Sequence, residues 1–311
     1  MGRRQMSLAL LFPGQGTQHP AMLGWLDAGG DTPAPALLAT ARQVGADWRE
    51  RLADPDWAQR NAIAQPLLTG LSIAAWQVLA PQLPAPAAIA GYSVGELAAF
   101  CVAGVFDADT ALALAAARAA AMDRSVSGAD TGLLSVQGVG SAALAAACAR
   151  HGLALAIRLA PDRAVLGGLA SALDAAVPLL LAQGARCTRL AVRIASHTPW
   201  VAAAAAEFRE LLAAVDFSPP GPTLVCNLSG AAERQPPRLK QALAGQIDAT
   251  VLWDQCMDSI AERRVRCVLE VGAGQALARL WGERHPDIPA RSVDEFHSSA
   301  AIVRWVQTAL R

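Results

Sequence analysis

The stretch PAAIAGYSVGELAAF, residues 86–100, places a serine between two glycines where an apolar run gives way to an alanine-rich pattern. Small apolar residues around Ile89 are typical of the end of a buried strand, and the apolar residues that follow recur at helical spacing. Ser93 is therefore predicted on a tight turn between a strand and a helix. Gly91 and Gly95 carry no side chains that would collide in so sharp a turn, and a G-x-S-x-G turn exposes its serine hydroxyl as a nucleophile.

The same residues also permit a purely structural interpretation. Ser93-x-x-Glu96 has the form of a capping box, in which the serine side chain binds the backbone at the start of the helix and the glutamate reaches back to the serine. The hydroxyl would then serve the helix and would not be a nucleophile. This motif alone leaves both interpretations open.

Composition excludes several classes of partner and site. The 311 residues suit one large domain with room for a smaller inserted one, and 26 basic residues balance 26 acidic ones. No block of charge indicates a nucleic acid or an anionic membrane surface as partner. The six cysteines are scattered without a C-x-x-C pair, so neither a metal site nor a disulfide framework is predicted, and a reducing cytoplasm fits best.

The chain shows no pattern of a membrane or secreted protein. Its basic start resembles a signal peptide, but the apolar run at residues 8–12 is too short and ends in Pro13 and Gly14. Arg, Asp or Gly interrupts the other alanine-rich stretches, so no membrane span is expected. The sequence predicts a soluble, cytoplasmic protein.

The order of strand and helix patterns predicts an α/β fold. Strands at 8–12 and before Ser93 alternate with helices at 67–80 and 108–123, which is typical of a mostly parallel sheet. The middle of the chain changes to a β-α-β-β-α-β pattern, which suits a small ferredoxin-like insert. The predicted strands of this insert lie at 132–139, 153–160 and 187–195, and a later strand runs into a glycine loop at 264–274.

A serine nucleophile needs a base, and His197 is the best placed of the five histidines. It follows the strand-like CTRLAVRIAS and precedes TPW, where a side chain can emerge at the edge of a sheet. Nucleotide binding is not indicated, because GQGTQH lacks the third glycine of G-x-G-x-x-G and no G-x-x-x-x-G-K-[ST] motif occurs.

Taken together, the motifs give the chain a family resemblance. It resembles the malonyl-CoA:acyl carrier protein transacylases and the acyltransferase domains of fatty acid and polyketide synthases, nearly from end to end. Ser93 and His197 are 104 residues apart, which is also similar to the family. The matching motifs, in the family's order, are FPGQGTQ (12–18), AQPLL (64–68), GYSVGE (91–96), ARAAAM (117–122), ASHTPW (195–200) and EVGAG (270–274).

The resemblance implies roles for the catalytic residues. Ser93 would be the acylated nucleophile and His197 its base, oriented by a backbone carbonyl near the last strand in place of an acid. The backbone N–H groups of Gln15 and Val94 would form the oxyanion hole. The amide after such a serine points into that site, and the glycines around Gln15 leave its backbone approachable.

Two further residues are assigned to the substrate by the resemblance. Gln65 would line the pocket, and Arg118 would bind the free carboxylate of a malonyl group. Arg118 shares an apolar helix face with Leu114 and Met122. Its guanidinium therefore either extends outward to water or binds an anion.

The implied fold is an α/β-hydrolase-like large domain, 1–127 plus 196–311, with a ferredoxin-like insert at 128–195 and the active site between them. The implied reaction is ping-pong transfer of malonyl from malonyl-CoA to the phosphopantetheine-type thiol of an acyl carrier protein, without a metal or redox cofactor. A serine thioesterase or esterase is the alternative that the serine motif alone permits. A non-catalytic subunit is a third possibility, against which the intact Ser93, His197 and Arg118 argue.

Three positions depart from the family's usual pattern. Tyr92 replaces the histidine before the nucleophile, and Leu159 and Arg163 replace an asparagine and a glutamine. These changes, with the stretch GYSVGELAAF (91–100), resemble the epsilon subunit of malonate decarboxylase, which charges the decarboxylase's own carrier protein. The other decarboxylase subunits would then be partners. A transacylase of fatty acid synthesis, with the same chemistry, is the alternative.

Overall fold

A computed structural model of the chain describes residues 7–27 and 33–311. The basic start compared above with a signal peptide lies at residues 1–6, outside the described residues. The strands are β1 (Leu8–Phe12), β2 (Ala88–Gly91), β3 (Thr131–Gln137), β4 (Ala154–Ala160), β5 (Arg163–Leu169), β6 (Arg186–Arg189), β7 (Thr223–Cys226), β8 (Ala231–Glu233), β9 (Val251–Leu252), β10 (Cys267–Glu270) and β11 (Ala290–Ser292). The α-helices are α1 (Pro35–Val44), α2 (Trp48–Arg51), α3 (Pro55–Ala58), α4 (Asn61–Leu79), α5 (Gly95–Val102), α6 (Ala108–Ser125), α7 (Ser141–His151), α8 (Ala170–Ala182), α9 (Ala202–Ala213), α10 (Pro236–Gly245), α11 (Trp253–Ala261), α12 (Ala276–Arg284) and α13 (Ser299–Ala309).

The larger sheet has the strand order β11-β10-β1-β2-β7-β8. All neighbours in it are parallel except β7 and β8. The central strands β1 and β2 are continuous apolar or small-residue runs and are buried throughout, because elements pack on both faces of the sheet. Their carboxyl ends lie side by side, and the loops that follow them form the functional site.

Successive residues of β1 alternate between two buried clusters. Leu8, Leu10 and Phe12 belong to the first, which includes side chains of α4, α5 and α6. Ala9 and Leu11 belong to the second, which includes α11, α12 and inward-facing residues of β4 and β5. The second cluster is therefore shared between the two sheets and joins them into one body around the site.

The smaller sheet has the order β6-β3-β5-β4-β9. β3 to β6 come from one segment and pair antiparallel, with α7 after β3 and α8 after β5. This β-α-β-β-α-β arrangement is the predicted ferredoxin-like unit. With the mostly parallel larger sheet it confirms the predicted α/β fold class.

The exact limits of the insert, 128–195, stay a prediction. β9 pairs parallel with β4, so the smaller sheet takes an edge strand from outside that range. The predicted β-α-β-β-α-β pattern needs four strands, but the sequence analysis located only three. The fourth is β5.

The strand predicted at 187–195 is wrong in its second half. β6 ends at Arg189, and the chain then leaves the sheet. Leu190, Val192 and Ile194 alternate as in a strand, but Ile194 is buried in the first cluster and Val192 packs against both clusters. The alternation of apolar residues therefore arises because this segment runs from the smaller sheet to the larger domain and packs on both buried clusters, not because it is a strand.

In the described residues one helical segment, Asn61–Gln82, is long and apolar enough to cross a membrane by length and composition alone. Most of it is buried inside the fold, where α4 packs against α1, α5 and α6. It is the central helix of the core.

Candidate active site

Ser93 lies on the turn between β2 and α5, with its backbone in the left-handed region at a φ of 56°. A Cβ at Gly91 would overlap the backbone of Gly95, and a Cβ at Gly95 would overlap the carbonyl of Phe12. Both glycines are therefore required for the close approach of strand, helix and neighbouring strand. The predicted strand–turn–helix is present, and we call residues 91–95 the elbow.

The capping-box interpretation of Ser93 and Glu96 is wrong. α5 begins at Gly95 without a side-chain cap, and the Ser93 hydroxyl pairs with His197. Glu96 is fully buried, and its Oε1 accepts the backbone N–H of Asn227 at 2.7 Å. The serine hydroxyl is thus free of the helix and directed into the site.

Both ring nitrogens of His197 form hydrogen bonds. Nε2 lies 2.7 Å from Ser93 Oγ, and Nδ1 lies 2.5 Å from the carbonyl oxygen of Gln246. A carbonyl can only accept, so Nδ1 carries the proton and Nε2 offers its lone pair to the serine hydroxyl. The sequence analysis expected the orienting carbonyl near the last strand, but it lies directly after α10.

The surroundings keep His197 neutral. The side chain is buried, and burial is the main reason why the pKa of His197 is lowered to about 3. The positive charge of Arg118 lowers the pKa further, while the hydrogen bond to Gln246 opposes the shift. A neutral imidazole is the form that can take a proton from serine.

The loop after β1, residues 13–17, packs on the elbow. A Cβ at Gly14 would lie 2.7 Å from the Tyr92 carbonyl oxygen and 3.5 Å from Ser93 Cβ. Within the described part of the chain, the backbone N–H groups of Gln15 and Val94 donate to no protein acceptor, whereas the Ser93 N–H donates to Asn227 Oδ1 at 2.8 Å. Free donors of this kind are what an oxyanion hole needs.

Arg118 is buried, with 1% of its surface exposed, so the interpretation in which it extends to water is wrong. Its Nη1 donates to Gln65 Oε1 at 2.8 Å, and its Nη2 lies 3.5 Å from Ser93 Oγ. Among the residues that the structure describes, its Nε has no hydrogen-bond partner, and no carboxylate forms an ion pair with it. Burial lowers the pKa of Arg118 to about 10, so the group is still charged at neutral pH.

A cavity of about 660 Å³ lies near the loop that follows β1, and Ser93, His197 and Arg118 are not among the residues that line it. Its walls include Asn61 and Asp123 from the larger domain and Arg193 from the segment that leaves the smaller sheet. The Gln15 side chain donates to the carbonyl of Gln59, which also lines the cavity. The cavity therefore lies where the two parts of the molecule meet, next to the loop that follows β1.

Sequence reasoning missed Asn227 and misassigned Glu96. Asn227 directly follows β7, which is the neighbour of β2, and the one available signal was a polar residue at the end of a buried strand. Neither its buried position nor its contact with the elbow 134 residues earlier is visible in the sequence.

The three departures from the family pattern occupy different settings. The Tyr92 ring packs edge-on against Trp253 with centroids 5.1 Å apart, and burial raises the pKa of its hydroxyl. Leu159 is buried, and Arg163 forms an ion pair with Glu283 of α12 at 2.6 Å. Arg163 thus bonds the smaller sheet to the larger domain.

Comparison with known proteins agrees with this geometry. The family model described as "Acyl transferase domain" matches residues 9–280. A malonyl CoA-acyl carrier protein transacylase of Mycobacterium bovis is 31% identical over 290 residues, which cover 92% of this chain and 96% of that protein. A malonyl-CoA:acyl carrier protein transacylase structure from Xanthomonas oryzae pv. oryzae has a TM-score of 0.89 at 27% identity, with 98% of this chain and 99% of that chain covered.

A second solved structure is a malonyl-transacylase in complex with its type II polyketide synthase acyl-carrier protein. It matches with a TM-score of 0.88 at 25% identity and covers 96% of this chain and 99% of that chain. The family match extends over most of the chain and spans both the elbow and His197. The chain therefore belongs to the acyl transferase domain family and is an acyltransferase.

Proposed function

We propose that this acyltransferase moves a malonyl group from malonyl-CoA to the thiol of an acyl carrier protein. The observation that carries the proposal is the buried guanidinium of Arg118, which has no carboxylate partner among the described residues and lies 3.5 Å from the Ser93 hydroxyl. An acyl group that ends in a carboxylate can place its thioester carbonyl at Ser93 and its anion at Arg118. Arginine suits this role because its planar donors match the two carboxylate oxygens.

In the first half-reaction, Ser93 Oγ attacks the thioester carbonyl while His197 Nε2 takes the hydroxyl proton. The negative charge that develops on the carbonyl oxygen is bound by the free N–H groups of Gln15 and Val94. The C–S bond then breaks, His197 returns the proton to the leaving sulfur, and a malonyl ester remains on Ser93.

In the second half-reaction, the phosphopantetheine-type thiol of the carrier takes the place of CoA. His197 accepts the thiol proton, the sulfur attacks the ester carbonyl, and the proton returns to Ser93 Oγ as the C–O bond breaks. A carboxylate at Arg118 also offsets the positive charge that lowers the pKa of His197, so the substrate itself strengthens the base. No step calls for a metal or redox cofactor, and the absence of one stays a prediction, as does a cytoplasmic location.

The similarity to malonyl-CoA:acyl carrier protein transacylases supports malonyl-CoA and an acyl carrier protein as substrates. The finer form of the proposal is that the carrier belongs to malonate decarboxylase, whose other subunits would be further partners. It depends on Tyr92, Leu159 and Arg163 together with the stretch GYSVGELAAF, residues 91–100. The carrier of fatty acid synthesis is the alternative, with the same chemistry.

The proposal is tested by supplying malonyl-CoA with holo forms of both carriers. We expect malonyl-carrier to form, with a higher kcat/KM for the decarboxylase carrier, and we expect no product with apo-carriers that lack the thiol arm. A higher kcat/KM for the fatty acid carrier would assign the chain to fatty acid synthesis. If malonate is released from malonyl-CoA at the same rate with and without a carrier, the protein is a thioesterase and the transfer proposal is wrong.

Replacing Arg118 by alanine is expected to lower kcat/KM for malonyl-CoA by about 10 to 150-fold. This range follows from about 1.5–3 kcal/mol for a hydrogen bond to a charged group, at about 1.4 kcal/mol per tenfold. Acetyl-CoA has no carboxylate to lose, so its kcat/KM should change little or rise. Arg118→Lys should recover part of the malonyl activity, because a point charge lacks the two-pronged geometry.

The matched control for Arg118 is Arg124→Ala, an exposed arginine on the same helix. It should leave kcat/KM for both thioesters near that of the unaltered protein. Equal losses for malonyl-CoA and acetyl-CoA in Arg118→Ala would show that the guanidinium supports the structure and does not select the substrate.

A further inference from the structure

Asn227 is fully buried and makes three hydrogen bonds here, two to the elbow and one to Glu96 directly after it. Its Oδ1 accepts the Ser93 N–H at 2.8 Å, and its Nδ2 donates to the Gly91 carbonyl at 2.5 Å. Its own backbone N–H donates to Glu96 Oε1 at 2.7 Å. One residue thus bonds the strand end, the nucleophile and the first turn of the helix.

The fold brings Asn227 to this place through strand pairing. β7 lies parallel to β2, with Ala90 opposite Val225. If this register is continued by two residues, just past the ends of both strands, Asn227 falls opposite Tyr92, one residue before Ser93. The asparagine therefore reaches the elbow from the neighbouring strand and not from the loop that contains the nucleophile.

The elbow needs such support because Ser93 is held at a φ of 56°, which a residue with a side chain adopts only at a cost. We propose that Asn227 is a positioning residue that holds Ser93 in its reactive conformation and occupies the Ser93 N–H, so that the Val94 N–H is the elbow's free oxyanion donor. The inference rests on the proposed role of Ser93 as the nucleophile.

The chemistry of the contact requires an amide side chain. Asparagine offers an acceptor to the Ser93 N–H and a donor to the Gly91 carbonyl at the same time. An aspartate would only accept and would repel the carbonyl. A leucine of similar size would leave both backbone groups buried without partners.

Glu96, in the first turn of α5, accepts the third of these hydrogen bonds. Burial raises the pKa of Glu96 to about 8, whereas the Asn227 N–H and the charge of Arg118 lower it. The raised pKa favours the neutral carboxyl, whose Oε1 accepts the Asn227 N–H at 2.7 Å.

The test uses Asn227→Asp and Asn227→Leu with two readouts. The first is the second-order rate constant for labelling of Ser93 by a fluorophosphonate, which reports the nucleophile without malonyl-CoA. The second is kcat and KM for malonyl transfer. We expect losses of about 10 to 100-fold in the labelling rate and in kcat, since a displacement of about 1 Å costs about that much. KM for malonyl-CoA should stay within about twofold, because Arg118 and Gln65 are unchanged.

A control separates positioning from general stability. Thr40→Val removes a buried hydrogen bond of 2.7 Å to Ala36 in α1, and neither residue contacts the elbow. It should lower the melting temperature while the labelling rate and kcat per folded molecule stay unchanged. If the Asn227 variants behave in the same way, with lower stability and normal kinetics, the positioning role is wrong.

A measurement on the unaltered protein covers the case in which the Asn227 variants do not fold. The Ser93 amide should be protected from hydrogen exchange, because its acceptor is a buried side chain. Exchange at the rate of an open loop would overturn the inference. If malonyl transfer is absent but fluorophosphonate labelling of Ser93 still depends on Asn227, the proposed function fails and the positioning role stands.

Discussion

Ser93→Ala is expected to abolish malonyl transfer and the covalent malonyl ester together. The Ser93 hydroxyl is the group 2.7 Å from the neutral base nitrogen of His197, and alanine leaves no oxygen to form the ester. Removal of a serine nucleophile from such a pair lowers kcat by about 10⁴-fold or more. The measurement is the intact mass after incubation with malonyl-CoA, followed by the rate of carrier charging.

Unaltered protein should gain the mass of one malonyl group on the peptide that contains Ser93, and holo-carrier should remove it. Ser127→Ala is the control, since Ser127 is exposed and lies outside the site. A Ser93→Ala protein that still gained the label or charged the carrier would mean that another group is the nucleophile.

The parts of the site that sequence reasoning placed correctly are set by local geometry. The turn at Ser93 could be predicted because Gly91 and Gly95 are two residues away on either side, and the contact that excludes a side chain at Gly91 is local. The contact that excludes one at Gly95 is with Phe12 of β1 and is not visible in the sequence. The strand before it and the helix after it follow from hydrophobic periodicity over a few residues. The roles assigned to Arg118, Gln65, Gln15 and Val94 came from a family resemblance and stay predictions.

The parts that could not be predicted depend on contacts between distant segments. Gln246 orients His197 through its backbone carbonyl, so its side-chain identity carries no signal for that role. The capping pattern of Glu96 was misleading because its carboxyl oxygen accepts a hydrogen bond from the backbone N–H of Asn227, 131 residues later, and not from the start of its own helix. The false second half of the strand at 187–195 has the same cause, since burial against two clusters produces the alternation of a strand without its hydrogen bonds.

The same contacts bear on the proposed role of His197 as a base. The Gln246 carbonyl fixes the proton on Nδ1, and the buried setting beside Arg118 disfavours a second proton on Nε2. Because burial and the charge of Arg118 lower the pKa of His197 to about 3, the neutral base form predominates between pH 5 and pH 7. An ordinary histidine would lose its basic form as the pH falls through about 6.5.

His197→Ala is therefore expected to lower kcat/KM for malonyl transfer by about 10² to 10⁴-fold, the usual contribution of general-base catalysis. In the unaltered protein, kcat/KM should stay level between about pH 7 and pH 5, since the lowered pKa of His197 keeps the acceptor nitrogen free throughout this range. His297→Ala, which removes an exposed histidine, is the control and should preserve both the rate and its pH profile. A loss below about threefold in folded His197→Ala would contradict the base role. A tenfold fall in kcat/KM per pH unit below about 6.5 in the unaltered protein would show instead that His197 titrates as an exposed imidazole does and that its burial does not protect the base.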